Sequence, residues 1–129
     1  MKIIPLINEI TNTFNEKFKE NLNPLNLESK IRDVGDTFTL KLYESFLNYF
    51  DESFKKSKQR KKEFNIKETR QRSLITSVGL ITINSTSYIN KKTKERYVPL
   101  RDILHLKTYQ RLTNEAEYQL IRYAMEENM

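Results

Sequence analysis

Cysteine is absent from the 129 residues, which excludes disulfides, thiolate zinc sites and thiol nucleophiles. A single histidine, His105, excludes a multi-histidine metal cluster. Gly35 and Gly79 are the only glycines, so there is no glycine-rich phosphate loop. No apolar run approaches the ~20 residues needed to span a bilayer. The opening Met1-Lys2-Ile3-Ile4-Pro5 lacks the long apolar region and small-residue cleavage site of a signal peptide. The expectation is a cytoplasmic protein with no membrane partner.

What is present is positive charge, unevenly placed. The chain is 31% charged, with 23 Lys and Arg against 17 Asp and Glu, a net +6. Residues 1–54 carry six bases and nine acids; residues 102–129 carry three and five. Residues 55–101 between them carry fourteen bases and three acids, a balance of +11. Such a band raises the local concentration of polyanions.

The apolar pattern begins helical. Ile3, Ile7, Ile10, Phe14 and Phe18 share a face of a helix expected over residues 5–20, with Pro5 tolerated in the first turn. Asn21-Leu22-Asn23-Pro24 interrupts it. A second helix is expected from Asp36, an N-cap candidate after Gly35. It carries two stripes, Phe38/Leu42/Phe46/Tyr49 and Leu40/Tyr43/Leu47/Phe50/Phe54, a face broad enough to need cover on more than one side. The run Lys55-Lys56-Ser57-Lys58-Gln59-Arg60-Lys61-Lys62 is rich in helix formers except Ser57 and could prolong that helix into solvent.

From Arg72 β-branched and aromatic residues take over. Three short strands are expected over residues 72–77, 80–90 and 96–100. Gly79 marks a tight turn or a bulge, residues 90–95 a hairpin loop, and Pro99 the end of an edge strand. Thr113 is the N-cap candidate of a last helix bearing Ala116, Leu120, Tyr123 and Ala124. The fold class is α+β: two N-terminal helices as an αα-hairpin, a small antiparallel three-stranded sheet and a C-terminal helix. Residues 1–64 form the helical region ending in the basic run, and residues 65–129 the β-meander with its helix, together one module.

Two basic clusters are the binding candidates. Lys55, Lys56, Lys58, Arg60, Lys61 and Lys62 are spaced closely enough to meet successive phosphates, while a solvated helix end is the bland alternative. Arg70, Arg72, Lys91, Lys92, Lys94 and Arg96 extend the track. Most aromatics recur at helical spacing and belong to the core; only Tyr88 and Tyr97 lie near the basic strands as stacking candidates. Asp51-Glu52 and Glu126-Glu127 are adjacent pairs that point to different helix faces and cannot jointly hold a metal. His105 reads as a turn residue. No catalytic residue, metal site or cofactor is expected.

The stretch Arg70-Gln71-Arg72-Ser73-Leu74-Ile75-Thr76-Ser77-Val78-Gly79-Leu80-Ile81-Thr82-Ile83, with Tyr88, resembles the Arg…Thr…Gly…strand…Tyr signature near the N-terminus of the ISLre insertion-sequence transposases. Leu100-Arg101-Asp102-Ile103-Leu104-His105-Leu106-Lys107-Thr108-Tyr109-Gln110-Arg111-Leu112-Thr113 resembles the Leu-x-Asp…Leu…Tyr-x-Arg-x-Ser/Thr stretch of the same family. The likeness covers about residues 40–129. It departs at Asn84-Ser85-Thr86-Ser87, where a basic, aromatic cluster is common, and at His105, where glycine is common. Members of that family continue into a helix-turn-helix-like region and a nuclease domain with metal-binding acids. The resemblance thus implies an N-terminal fragment that contacts DNA phosphates without cutting DNA. The alternative is a helical self-association module, pairing as a homodimer through the second helix.

Overall fold

A computed structural model of the chain describes residues 3–17, 19, 25–106 and 110–127. In chain order the elements are α1 (Ile3–Lys17), α2 (Leu27–Lys56), α3 (Lys58–Glu63), β1 (Phe64–Thr76), β2 (Gly79–Asn90), β3 (Arg96–Tyr97), α4 (Pro99–Ile103) and α5 (Asn114–Glu127). The fold is α+β, with an antiparallel sheet ordered β1-β2-β3. Among the described residues, no helix is long and apolar enough to cross a membrane.

The second helix begins nine residues before Asp36. Asn26 is its N-cap, and Lys30 N–H donates to Asn26 O at 3.0 Å. Gly35 and Asp36 lie in its interior, where glycine costs roughly 0.5–1 kcal/mol against alanine. Burial of neighbouring Val34 and the 2.8 Å Lys41–Glu9 ion pair to α1 hold the helix through that weak point. In α1, Pro5 does sit in the first turn. Leu6, rather than the Ile3/Ile7/Phe14 stripe, is the buried residue there. Phe18 and residues 21–24 of the expected break lie outside the described residues.

The core lies where α2 crosses the sheet. Leu47 of α2 meets Leu74 of β1, Ile81 and Ile83 of β2, Leu100 of α4 and Leu106, with Leu40, Tyr43, Phe50 and Leu104 packed around them. Each such aliphatic side chain stabilises by about 1.5–3 kcal/mol on burial. The second stripe of α2 therefore faces the sheet. The other stripe leaves Leu42, Phe46 and Tyr49 exposed.

β1 and β2 form a long hairpin from Phe64↔Asn90 to Thr76↔Gly79. β1 is thirteen residues long and begins eight residues before Arg72. Its first half is mostly exposed and polar, so pairing with β2, rather than an apolar pattern, makes it a strand. Gly79 closes the turn at φ 126°, and Thr76 Oγ1 donates to its carbonyl at 2.7 Å. The positive φ is what favours glycine there, and a Cβ would also crowd Leu40 Cδ1 at 3.1 Å.

β3 is only two residues, because Pro99 starts a helix instead of ending a strand. At N1 of α4 its fixed φ suits helix and its missing N–H has no helical partner to lose. α4 ends on His105 at φ 53°, with His105 N–H donating to Asp102 O and Leu106 N–H to Arg101 O. That pair of bonds is a Schellman motif, so His105 is a turn residue. Thr113 caps α5, its Oγ1 accepting from Ala116 N–H at 3.3 Å. Only Ala116 of the expected apolar face of α5 is buried; Leu120 and Tyr123 are exposed.

Candidate nucleic-acid interface

The basic run does not continue α2. Ser57 adopts φ −69° and ψ 151°, ending one helix and starting the next. Its hydroxyl donates to Phe54 O at 2.7 Å and accepts from Arg60 N–H at 3.2 Å. Serine competes with the helical backbone for these partners, so the one poor helix former in the run becomes its break. Lys55 and Lys56 thus close α2, while Lys58, Arg60, Lys61 and Lys62 occupy α3.

The second cluster folds back onto the first. Lys91 Nζ donates to Lys61 O at 2.6 Å, and Lys91 N–H donates to Glu63 O at 2.9 Å. The 91–94 loop is held by Asn90, whose Oδ1 accepts from Lys92 and Thr93 N–H at 2.8 and 3.0 Å. Lys94 completes the turn at φ 63°. Lys58, Lys61, Lys62, Lys92 and Lys94 are exposed and without a carboxylate partner among the described residues, so five ammonium groups gather at the β1-start end of the sheet. Exposed Lys67 joins that end as the extra residue of the irregularity between Ile66 and Glu68. Bulged residues are invisible to a spacing argument made before pairing is known.

Other predicted residues have partners inside the protein. Lys55 Nζ donates to Thr69 Oγ1 at 3.2 Å, and Arg60 Nε donates to Lys55 O at 2.7 Å. Lys56 pairs with Glu52 at 3.2 Å on the helix surface. Thr69 Oγ1 lies 2.9 Å from Thr86 Oγ1, and Thr86 Oγ1 donates to Asp51 Oδ2 at 2.8 Å. Each hydroxyl has one proton, so the donors run from Lys55 through Thr69 and Thr86 to the buried Asp51 carboxylate.

Arg70, Arg72 and Arg96 stand apart from the lysines. They line a pocket of about 630 Å³ together with Arg101 and Arg111. Glu68 pairs with Arg70 at 3.0 Å and with Arg96 at 3.9 Å. The Arg72 guanidinium donates to Gln110 O. Burial, and then the charge of Arg101, lower the Arg72 pKa from its ordinary value. Arg101 and Arg111 were not among the predicted site residues. Arg101 lay in the basic band, but Arg111 reaches β1 only through the Ile75↔Leu112 bridge, which no local pattern announces.

The stacking candidates belong to the interior. Tyr88 is fully buried and meets Phe54 edge-on at 5.1 Å. Half-buried Tyr97 stacks on Phe64 at 5.1 Å with planes 22° apart. These four rings close the sheet end beneath the lysines.

Residues 17–129 match the model of an uncharacterised protein family, UPF0236. A UPF0236 protein of Caldanaerobacter subterraneus subsp. tengcongensis is 22% identical over 120 residues. That alignment covers 93% of this chain and 26% of the relative, so the chain spans about a quarter of the relative's length. No solved structure matches it. The matched stretch takes in α2, the hairpin, the lysine-rich end and α5, and the chain belongs to the UPF0236 family.

Proposed function

We propose that the chain is a DNA-binding, non-catalytic module of a transposase-like protein, working in the cytoplasm. The observation that carries this reading is the junction of α3 with the 91–94 loop through Lys91, which turns two separate basic stretches into one cationic surface. Exposed lysines free of carboxylate partners are suited to phosphates, where each contact releases condensed counterions. The likeness of residues 70–113 to the ISLre transposases supports DNA as the polyanion. Strand-transfer chemistry, which the ISLre resemblance implies for a separate nuclease domain, is not part of the role proposed for this chain.

The test is duplex binding against salt. A surface engaging about six phosphates should lose roughly 10³ in affinity between ~50 and ~200 mM salt. Replacing Lys58, Lys61, Lys62 and Lys92 with Gln should weaken binding on every sequence tested and flatten that dependence. Binding unaltered by these changes would exclude the lysine surface. Incubation with supercoiled plasmid and Mg²⁺ should give no nicking.

Self-association is the second reading, favoured by one observation: Leu42, Phe46 and Tyr49 of α2 are exposed, as are Tyr118, Leu120, Ile121, Tyr123 and Met125 of α5. Exposed apolar surface of this kind is commonly covered by another chain.

A further inference from the structure

The arginine pocket carries chemistry that the lysine surface does not. Five arginines, Arg70, Arg72, Arg96, Arg101 and Arg111, line one concavity with a single acidic residue, Glu68. Glu68 is shared between Arg70 and Arg96. Among the described residues, Arg72, Arg101 and Arg111 have no carboxylate partner. Arg101 Nε is buried and has no hydrogen-bond partner among the described residues, so this side chain carries an unmet, desolvated donor. Packing like charges together without counter-charge is unfavourable, and a multivalent anion would relieve it.

We propose that this pocket binds a phosphomonoester, either the terminal phosphate of a polynucleotide or the phosphate of a free nucleotide. Guanidinium forks match phosphate oxygens in pairs, with both charge and direction. A phosphomonoester brings about −1.5 to −2 charge and three acceptor oxygens. It satisfies several forks at once, where an internal phosphodiester offers one charge and two free oxygens. The half-exposed Ile75 and the exposed Leu80 add an apolar wall to the same cavity, suited to a sugar or base. The site is separate from the lysine surface and does not depend on duplex binding there.

The experiment compares short single-stranded DNA carrying a 5′-phosphate with the same strand ending in a 5′-hydroxyl, by fluorescence anisotropy. Inorganic phosphate and a nucleoside 5′-monophosphate are titrated separately and followed by calorimetry. The wild type should prefer the phosphorylated end by about tenfold or more, the factor that one charge-assisted hydrogen bond supplies. Arg101→Gln and Arg111→Gln should abolish the preference. Lys61→Gln with Lys62→Gln should weaken both strands equally and keep the ratio, which separates this pocket from the lysine surface. Binding of the free nucleotide without end preference would uphold the site and assign it to the small molecule. Should Arg101→Gln fail to fold by circular dichroism, exposed Arg111→Gln decides. Wild type with neither end preference nor phosphate or nucleotide binding overturns the proposal, as does a preference that survives the arginine changes.

Discussion

Both carboxylate oxygens of Asp51 are committed to Thr86: Oδ1 accepts its backbone N–H at 2.9 Å and Oδ2 its hydroxyl at 2.8 Å. Both residues are buried, so neither donor has water as an alternative. Asp51→Ala should destabilise the protein by about 2–4 kcal/mol, the cost of two buried donors left unmade. Asp51→Asn should cost less than Asp51→Ala, since its carbonyl can keep the Thr86 N–H and its NH₂ can donate to Thr86 Oγ1 once the Thr69–Thr86 hydroxyl bond reverses direction. Urea unfolding at neutral pH measures both; a loss below about 1 kcal/mol for Asp51→Ala would show that the pair is dispensable.

Tyr88 presents the opposite case. Its hydroxyl is buried with no hydrogen-bond partner within bonding distance among the described residues, and burial, then the charge of Asp51, pushes its pKa up to about 12. Below pH ~10 folded and unfolded states both carry the neutral phenol. Above it the unfolded chain ionises while the buried ring resists, so stability falls as pH rises from about 10 towards 12. Tyr43 and Tyr97 are also raised, each mainly by burial, and add to that fall. Tyr88→Phe should be neutral or stabilising by about 1 kcal/mol at pH 7. It should also lessen the alkaline loss, as thermal melts across pH 8 to ~11 will show.

Gly35 and His105 are in some sense exchanged. Gly35 sits mid-helix with nothing within 4 Å of a would-be Cβ, so Gly35→Ala should stabilise by roughly 0.5–1 kcal/mol. His105 holds φ 53° at the Schellman position, where an L-residue is strained by ~1–2 kcal/mol. His105→Gly should therefore stabilise by about 0.5–1 kcal/mol, the strain less glycine's extra backbone entropy. Denaturant midpoints at constant slope test both.

Phe46 and Phe50 separate folding from association. Phe50 packs against the core, and Phe50→Glu should unfold the chain. Phe46 is 47% exposed, and Phe46→Glu should leave the fold intact. If α2 mediates a dimer, sedimentation of this variant alone should turn it to monomer; a wild type already monomeric at micromolar concentration would remove the self-association reading.

The fold class was legible because its elements differ in period: the α2 stripe ending at Phe54 and the β-branched run after Arg72 could not be confused. Gly79, Thr113 and the 90–95 loop were legible from turn and cap chemistry, which is local. Boundaries set by tertiary partners were not. Val34 carries helix through Gly35, and β2 recruits the mostly polar residues 64–71 into a strand. Pro99 fits a strand end and a helix N1 equally well, and only the chain beyond it decides. The candidate site divides the same way. The basic residue types were evident, but their separation into a lysine surface and an arginine pocket depends on Ser57, Lys91 and the Ile75↔Leu112 bridge.

β3 pairs with β2 at Tyr88 and Ile89 alone, while Asn48 and Asp51 of α2 accept the backbone N–H groups of Asn84 and Thr86 further along. Unpaired strand edges are templates for growth by other chains. A second copy offering an extended segment here would find those donors already occupied. Asp51→Ala should therefore do more than loosen the fold: it should make the protein prone to aggregate by strand addition, visible as light scattering under conditions where it is still folded. The helix that builds the core is also what stops the sheet from lengthening into a neighbour.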